Sequence, residues 1–302
     1  MVQKQQETRQ QDNFIMIPTV DFCFKELMQN EKVRRGILSA LLKVDPQEIE
    51  RTELMPTILR KEHFEDKFGI LDVRILMKDG TQIDLEMQVY YFEFWKNRNI
   101  FYLAKMFTDQ IKEGEGYGSI KRCIHVSILD FIHFPEDKEW YHYITFCDEK
   151  TGKQYTDLME IYVLELKKLP EEIQDEDAIV RWMRFFGGKC REDFEHMAKK
   201  DEYIGEAYEV LQRLSADELK RLEYETRQKA IRDYNTQMNS AERRGIRQGI
   251  EQGRRQGAKD ERCSIVKKLW KKGTSIEEIA DLLDAKVEEI KVLIEESEDK
   301  DL

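Results

Sequence analysis

The chain has little that would take it into or across a membrane. Its 302 residues contain no run of about 18 consecutive apolar residues, the length that a membrane-spanning helix needs. Residues 1–13 are polar and rich in glutamine, and they lack the apolar core of a signal peptide. We therefore expect a cytoplasmic protein without a membrane partner, and a disordered leader over residues 1–13.

Cysteine and histidine are also scarce, with five residues of each type. Neither type occurs in the C-x-x-C or mixed Cys/His spacing of a zinc site. His125 lies inside an apolar stretch and His133 lies at its end, which favours packing or surface positions for both. The sequence therefore predicts structural thiols and no zinc centre.

The net charge of −11 opposes indiscriminate binding to nucleic acids, although an acidic total can still conceal a basic stripe. With 40% hydrophobic residues the chain can form a real core. The 37% charged residues and the mean hydropathy of −0.68 indicate much exposed helix. The length fits one large domain or one domain with appendages.

The clearest local pattern runs over residues 70–90, ILDVRILMKDGTQIDLEMQVY. Apolar and polar residues alternate with period two on both sides of a Lys-Asp-Gly-Thr turn, which is typical of an antiparallel hairpin. The apolar face would carry Leu71, Val73, Ile75, Met77, Ile83, Leu85, Met87 and Val89. The opposite face would carry Asp72, Arg74, Gln82, Asp84, Glu86 and Gln88.

Both apolar sets stay on one side only if the numbers of paired residues sum to an even value, because a one-residue slip inverts a strand. A three-residue loop ending at Gly80 meets this condition, with Gly80 in the left-handed conformation. Asp72 would then face Glu86, and Asp84 would pair with Arg74, which would neutralise it. Two carboxylates about 5 Å apart repel each other unless a cation or a proton lies between them. A solvated sheet face with ordinary acidic residues is the alternative.

The order of Asp72, about fourteen residues, then Glu86-x-Gln88 on paired strands, an amphipathic helix and another strand resembles the PD-(D/E)XK nuclease superfamily. It is similar in particular to the bacterial branch of recombination-promoting nucleases and putative transposases, in which Gln replaces the final Lys of the motif. Asp72 matches the first acid, Glu86 the second, and Gln88 the lysine position. Leu71 stands where the motif has Pro. The resemblance covers residues 14 to about 270.

A second matching segment lies near the start of the chain. Residues 21–25, DFCFK, resemble the D-x-x-F-K opening of the same family. The resemblance implies that Asp21 and Lys25 belong to the site, with Lys25 pointing toward the acidic residues. A helix-capping Asp21 and a surface Lys25 are the alternative. The spacing of apolar residues predicts one helix over residues 21–44.

After the hairpin, apolar residues at helical spacing predict a helix over residues 92–112. Arg98 and Tyr102 share one face of that helix, and the resemblance implies that both support the site or contact DNA. A core position for Tyr102 is the alternative. Further strands are predicted over residues 123–131, 143–147 and 156–166. With the hairpin they give an α/β fold, a mixed sheet of about five strands in a PD-(D/E)XK core, followed by a helical C-terminal region.

The resemblance implies a magnesium-dependent DNA endonuclease linked to recombination or mobile DNA. Mg²⁺, with Mn²⁺ or Ca²⁺ as alternatives, would be held by the carboxylates of Asp72 and Glu86 and by the backbone carbonyl of Met87. Gln88 would hold the attacking water, and Lys25 would supply the positive charge that a glutamine lacks. Two alternatives stay open: a decayed nuclease domain that binds DNA or a partner without cutting, and an oligomeric interaction protein organised by its tail.

The C-terminal third carries a glycine repeat and a reversal of charge. Glycine recurs at every fourth position, as Gly245, Gly249, Gly253 and Gly257, which fits either close approach of a second helix or a flexible linker. Residues 242–272 hold eleven basic and four acidic residues, whereas residues 273–302 hold three basic and eleven acidic ones. Ser275 and Glu278 have capping-box spacing, and the helix that follows is too acidic to contact phosphates.

The predicted organisation is a leader (1–13), a nuclease-like domain (14–170), a helical region (171–240), a basic glycine-repeat helix or linker (241–272) and an acidic helical hairpin (273–302). The opposite charges of the last two segments predict a homo-oligomer that assembles through the C-terminal region.

Overall fold

The computed structural model describes residues 14–49, 51–58, 71–91, 93–171 and 176–298. The predicted leader over residues 1–13 lies outside them. The chain divides into two compact units, Met1–Lys229 and Ala230–Leu302. Among the described residues, no helix is both long enough and apolar enough to span a bilayer.

The first unit contains a mixed sheet of six strands in the order β1-β2-β3-β4-β6-β5. The strands are β1 (Thr52–Met55), β2 (Val73–Met77), β3 (Gln82–Gln88), β4 (Cys123–Leu129), β5 (Tyr141–Cys147) and β6 (Gln154–Glu165). The pairs β1–β2, β2–β3 and β5–β6 are antiparallel, and β3–β4 and β4–β6 are parallel. The α/β fold with a mixed sheet is confirmed, with β1 as an additional four-residue edge strand.

The hairpin register agrees with the prediction. Arg74 pairs with Asp84 across β2 and β3, and the backbone N–H of Met77 donates to the carbonyl of Thr81 at 2.8 Å. Gly80 closes the turn with φ +90°, a conformation that a residue with a Cβ adopts only under strain. The same register, continued past the start of β2, sets Asp72 opposite Glu86.

The polar face of the hairpin is covered, so the solvated-face alternative is wrong. Asp84 and Glu86 on β3, and His125 and Ser127 on β4, have no exposed surface. Helix α3 (Trp95–Thr108), which connects β3 to β4, packs against β4. The buried side chains of this layer include Leu71, Tyr102, Leu103, Met106 and Cys123.

Two helices replace the single one predicted over residues 21–44. They are α1 (Asp21–Gln29) and α2 (Glu31–Leu42), and Asn30 between them has extended backbone and caps α2 by accepting from two backbone N–H groups. The predicted cap at Asp21 is also wrong. Asp21 is the first helical residue of α1, whereas Val20 holds the extended cap position and has no side-chain oxygen to offer.

The described residues from 176 onward are mainly helical, as predicted. Helices α4 (Ala178–Gly187), α5 (Arg191–Ala198) and α6 (Glu202–Ala216) are followed by α7 (Glu218–Lys271), α8 (Ile276–Leu282) and α9 (Val287–Glu298). The glycine repeat lies within the continuous helix α7. Ser275 and Glu278 form the predicted capping box of α8, and Val266, Ile279 and Ile290 belong to the small core of the second unit. The domain boundaries drawn from the sequence remain predictions.

Candidate active site

Asp72 and Glu86 lie at the same end of the sheet, where β2 begins and β3 ends. Asp72 immediately precedes β2, and Glu86 lies near the end of β3. The side chain of Glu86 has no exposed surface, whereas that of Asp72 is 17% exposed. One carboxylate is therefore enclosed, and the other is open to an approaching ligand.

Each of these carboxylates is paired with one cation from a different helix. Lys25 of α1 places Nζ 3.0 Å from Oδ1 of Asp72. Arg98 of α3 donates from Nη2 to Oε2 of Glu86 at 3.2 Å, and its guanidinium lies 5.1 Å from the centre of the Tyr102 ring. The cation beside each acid thus comes from a helix outside the hairpin.

Gln88 and Met87 complete the immediate surroundings. Nε2 of Gln88 donates to Oε2 of Glu86 at 3.3 Å. The backbone N–H of Met87 donates to Oδ2 of Asp72 at 3.4 Å. Because the N–H and C=O of one strand residue point to the same neighbouring strand, the carbonyl of Met87 also faces the side of β3 on which Asp72 lies.

Two of the predicted site residues lie elsewhere or have a second role. Oδ2 of Asp21 lies 3.8 Å from Nη1 of Arg227, so this carboxylate is paired with α7. Tyr102 is buried in the layer between α3 and the sheet while its ring lies beside Arg98. Lys25 rather than Asp21 is therefore the N-terminal residue that reaches the acidic pair.

A buried chain of polar groups, which the sequence did not indicate, lies beside Glu86. Oδ2 of Asp84 is 2.7 Å from Nδ1 of His125, whose Nε2 is 2.8 Å from Oγ of Ser127. Asn99 of α3 donates from Nδ2 to the same Oγ at 3.3 Å. These four side chains are at most 1% exposed.

The predicted neutralisation of Asp84 by Arg74 stays a prediction, and His125 is a further partner of Asp84. Arg74 and Asp84 are paired in the register, and the charge of Arg74 opposes the rise in the pKa of Asp84. Arg74 also donates to Oε1 of Gln82 at 2.7 Å, while His125 is hydrogen-bonded to Asp84. The parallel pairing of β3 with β4 brings His125 opposite Asp84. No local pattern in the sequence marks that pairing, because the two strands are separated by a whole helix.

Burial governs the protonation of this face. It raises the pKa of Glu86 to about 8, with the charge of Asp84 acting in the same direction. It also raises the pKa of Asp84 well above its usual range and lowers that of His125. The imidazole is thus held in its neutral form, in which one ring nitrogen donates and the other accepts.

A second group of ligand-type side chains lies on another part of the sheet. Oxygen or nitrogen atoms of Asp137, His142 and Glu165 lie within 4.8 Å of one another. The ammonium of Lys168 lies 2.8 Å from both carboxylates. A protein cation therefore already balances this group.

The family model described as "PD-(D/E)XK nuclease family transposase" matches residues 18–241, a range that includes Lys25, Asp72, Glu86, Gln88 and Arg98. No curated protein and no solved structure matches significantly.

The raised pKa of Glu86 predicts a pH-dependent stability that a Glu86→Gln variant lacks. Between pH 4.5 and about 8, folded protein retains a proton on Glu86 that the unfolded chain releases. The free energy of unfolding of the parent should therefore fall as pH rises through this window, by up to a few kcal/mol. Chemical denaturation in the presence of a chelator should show the variant gaining stability relative to the parent up to about pH 8. Parallel curves for the two proteins would contradict the assignment.

Proposed function

This chain belongs to the PD-(D/E)XK nuclease family transposases, and on that premise we propose that it is a DNA endonuclease that hydrolyses phosphodiester bonds with a divalent metal ion. Nucleases of the PD-(D/E)XK class generally use divalent metals. The observation that carries the proposal is that Asp72 accepts from the backbone N–H of Met87, next to Glu86, while Gln88 donates to Glu86 at the same end of the sheet. The proposed role is the cutting of recombining or mobile DNA in the cytoplasm.

The donor atoms fit a hard cation. Asp72 and Glu86 offer carboxylate oxygens, and Met87 offers a backbone carbonyl on the side of β3 that faces Asp72. Oxygen ligands of this kind suit Mg²⁺, and Mn²⁺ or Ca²⁺ as substitutes. Each carboxylate oxygen has two lone pairs, so its bond to Lys25 or Arg98 still leaves capacity for a further partner.

A bound metal ion would polarise the phosphodiester and activate a water molecule for attack on phosphorus. The protein's own groups would do the rest. The amide of Gln88 would orient the water, but it carries no charge. Lys25 would offset the negative charge that develops on the phosphate oxygens, with Arg98 supporting Glu86 from the opposite side. Hydrolysis forms one P–O bond to water and breaks another, and the leaving oxygen takes a proton.

The first prediction concerns the two acids. Asp72→Ala and Glu86→Gln should each abolish Mg²⁺-dependent nicking of supercoiled plasmid and weaken Mg²⁺ binding measured by calorimetry, since each removes a ligand. Both variants should stay folded, because each relieves repulsion between neighbouring carboxylates.

Glu160→Gln is the matched control. Glu160 is also buried on the sheet and paired with an arginine, Arg122, but it lies away from the acidic pair, so its variant should cut DNA like the parent. Normal metal binding and cutting by Asp72→Ala and Glu86→Gln would refute the proposal. A parent protein that binds DNA without cutting would support the decayed-nuclease alternative instead.

Lys25 generates the second prediction. Lys25→Ala should lower the cleavage rate about tenfold or more, because a positive charge near the phosphate is lost. Metal affinity should be unchanged or slightly higher, since the lysine no longer competes for Asp72. Lys220→Ala removes a lysine bound to Glu26, the neighbouring residue of α1, and should leave cleavage unaffected. A Lys25→Ala variant as fast as the parent would make this lysine a surface residue only.

We also propose that the chain forms a homo-oligomer through its C-terminal region. A Cβ added to any glycine of the repeat would meet no described atom within 4 Å, so this side of α7 is open. Ile246 and Ile250, each next to one of these glycines, are exposed. The basic segment 242–272 and the acidic segment 273–302 offer complementary charge between copies.

Removal of the residues after Ser240 should therefore lower the number of chains per particle. Light scattering at micromolar concentration measures this number as the ratio of the observed mass to the mass of one truncated chain. The double variant Ile246→Asp, Ile250→Asp should do the same without truncation, because it places charge on exposed positions beside the glycine repeat. Leu219→Asp with Leu222→Asp, on exposed positions earlier in the same helix, is the control and should keep the parent's mass. A monomeric parent protein would disprove the proposed assembly.

A further inference from the structure

We infer that Asn99 is a positioning residue that holds Arg98 against Glu86. This inference rests on the proposed function for its catalytic consequence, but its structural content can be tested without metal or DNA. It starts from the buried polar chain, which joins β3, β4 and α3 and for which the proposed hydrolysis has no direct use.

The hydrogen bonds join the four residues of the buried polar chain in one line. Asn99 donates to Oγ of Ser127, which is hydrogen-bonded to Nε2 of His125, and Nδ1 of His125 is hydrogen-bonded to Asp84. The neutral imidazole that burial favours offers one donor and one acceptor, so it can bridge Ser127 and Asp84. The sequence of bonds therefore begins on helix α3 and ends inside the sheet.

Stability alone does not account for a polar residue at position 99. Asn99 is 1% exposed, and its Oδ1 has no hydrogen-bond partner within the described part of the chain. A buried polar atom without a partner costs about 1–3 kcal/mol, which an apolar side chain of the same size would avoid. Leu103 and Met106 on the same helix show that apolar side chains do fill this layer.

The buried polar chain lies next to the acidic pair. Ser127 is the register partner of Glu86 on the adjacent parallel strand. Asn99 immediately follows Arg98. The bond from Asn99 to Ser127 therefore fixes α3 at the point from which the Arg98 side chain projects. Successive residues of an α-helix are about 100° apart around the axis, so a small rotation of α3 would move the guanidinium away from Glu86.

A similar bond at the far end of the same connection provides a matched control. Gln110, two residues after α3 ends, donates to the carbonyl of Lys121 and to Sγ of Cys123, at the start of β4. Gln110 thus links the end of α3 to the same strand, roughly 15 Å from Asn99 along the direction of the helix axis. A general loss of packing between α3 and β4 should follow from either change, whereas misplacement of Arg98 should follow only from the change at Asn99.

The deciding measurement is the coupling between Arg98 and Glu86 in metal-free protein. Unfolding free energies of the parent, Arg98→Met, Glu86→Gln and the double variant give this coupling by a double-mutant cycle. The cycle is then repeated in an Asn99→Leu background and in a Gln110→Leu background. We expect the coupling to fall by half or more with Asn99→Leu and to keep its value with Gln110→Leu.

Plasmid cleavage gives the second readout. Asn99→Leu should lower kcat about tenfold with little change in KM for DNA, and it should have no further effect once Arg98 is replaced by Met. Ser127→Ala breaks the same link from β4 and should reproduce both results if Asn99→Leu does not fold.

Unchanged coupling in the Asn99→Leu and Ser127→Ala backgrounds would overturn the inference, whatever the cleavage assay gives. Rate losses that multiply when Asn99→Leu and Arg98→Met are combined would also overturn it. A parent protein that does not cut DNA would refute the proposed function alone, because the coupling measurement needs neither metal nor substrate.

Discussion

Repulsion among three carboxylates on one face of the sheet is the constraint on which the rest of this structure depends. Asp72, Asp84 and Glu86 act electrostatically on one another, and the last two have no exposed surface. Burying a carboxylate beside another raises its pKa and costs free energy unless a cation or a hydrogen-bond donor meets it. Three groups that meet these acids come from outside the hairpin.

Each carboxylate takes its partner from a different element of the first unit. Helix α1 supplies Lys25, helix α3 supplies Arg98, and strand β4 supplies His125. Local pairing therefore assembles the acids, and tertiary structure assembles the groups that compensate them. A cation bound at the acidic pair in the proposed reaction would act on the same balance, since it brings the charge that the helices provide here.

The parts of this arrangement that could be predicted are those encoded within a few residues. The register of the hairpin follows from period-two alternation and one turn glycine, Gly80, so the placement of Asp72 opposite Glu86 was accessible from the sequence. The parts that could not be predicted depend on pairing across long separations. His125 reaches Asp84 only because β3 and β4 are parallel neighbours, and a parallel pair leaves no local mark.

Local signals also competed with one another. Asn30 interrupts an otherwise continuous apolar stripe because its side chain satisfies two backbone donors at the start of α2. Strand β1 is too short to show alternation, and its place in the sheet depends on a neighbour some twenty residues later. The burial of the polar face could not be predicted for a related reason. Helix α3 covers this face, and its packing on β4 is a tertiary contact that no local pattern encodes.

Glutamine at position 88 changes where the site obtains its positive charge. A lysine there would be carried by the same strand as Glu86, and hairpin formation alone would bring the two together. With Gln88, the cation paired with Asp72 is Lys25 of α1, which lies 47 residues before Asp72 in the chain, and the cation paired with Glu86 comes from α3. The positive charges beside the acidic pair are therefore present only when α1 and α3 are packed in the fold. Helices α1 and α3 each bring a cation to one of the two acids, so the contacts that close the structure also set the charge around the acidic pair.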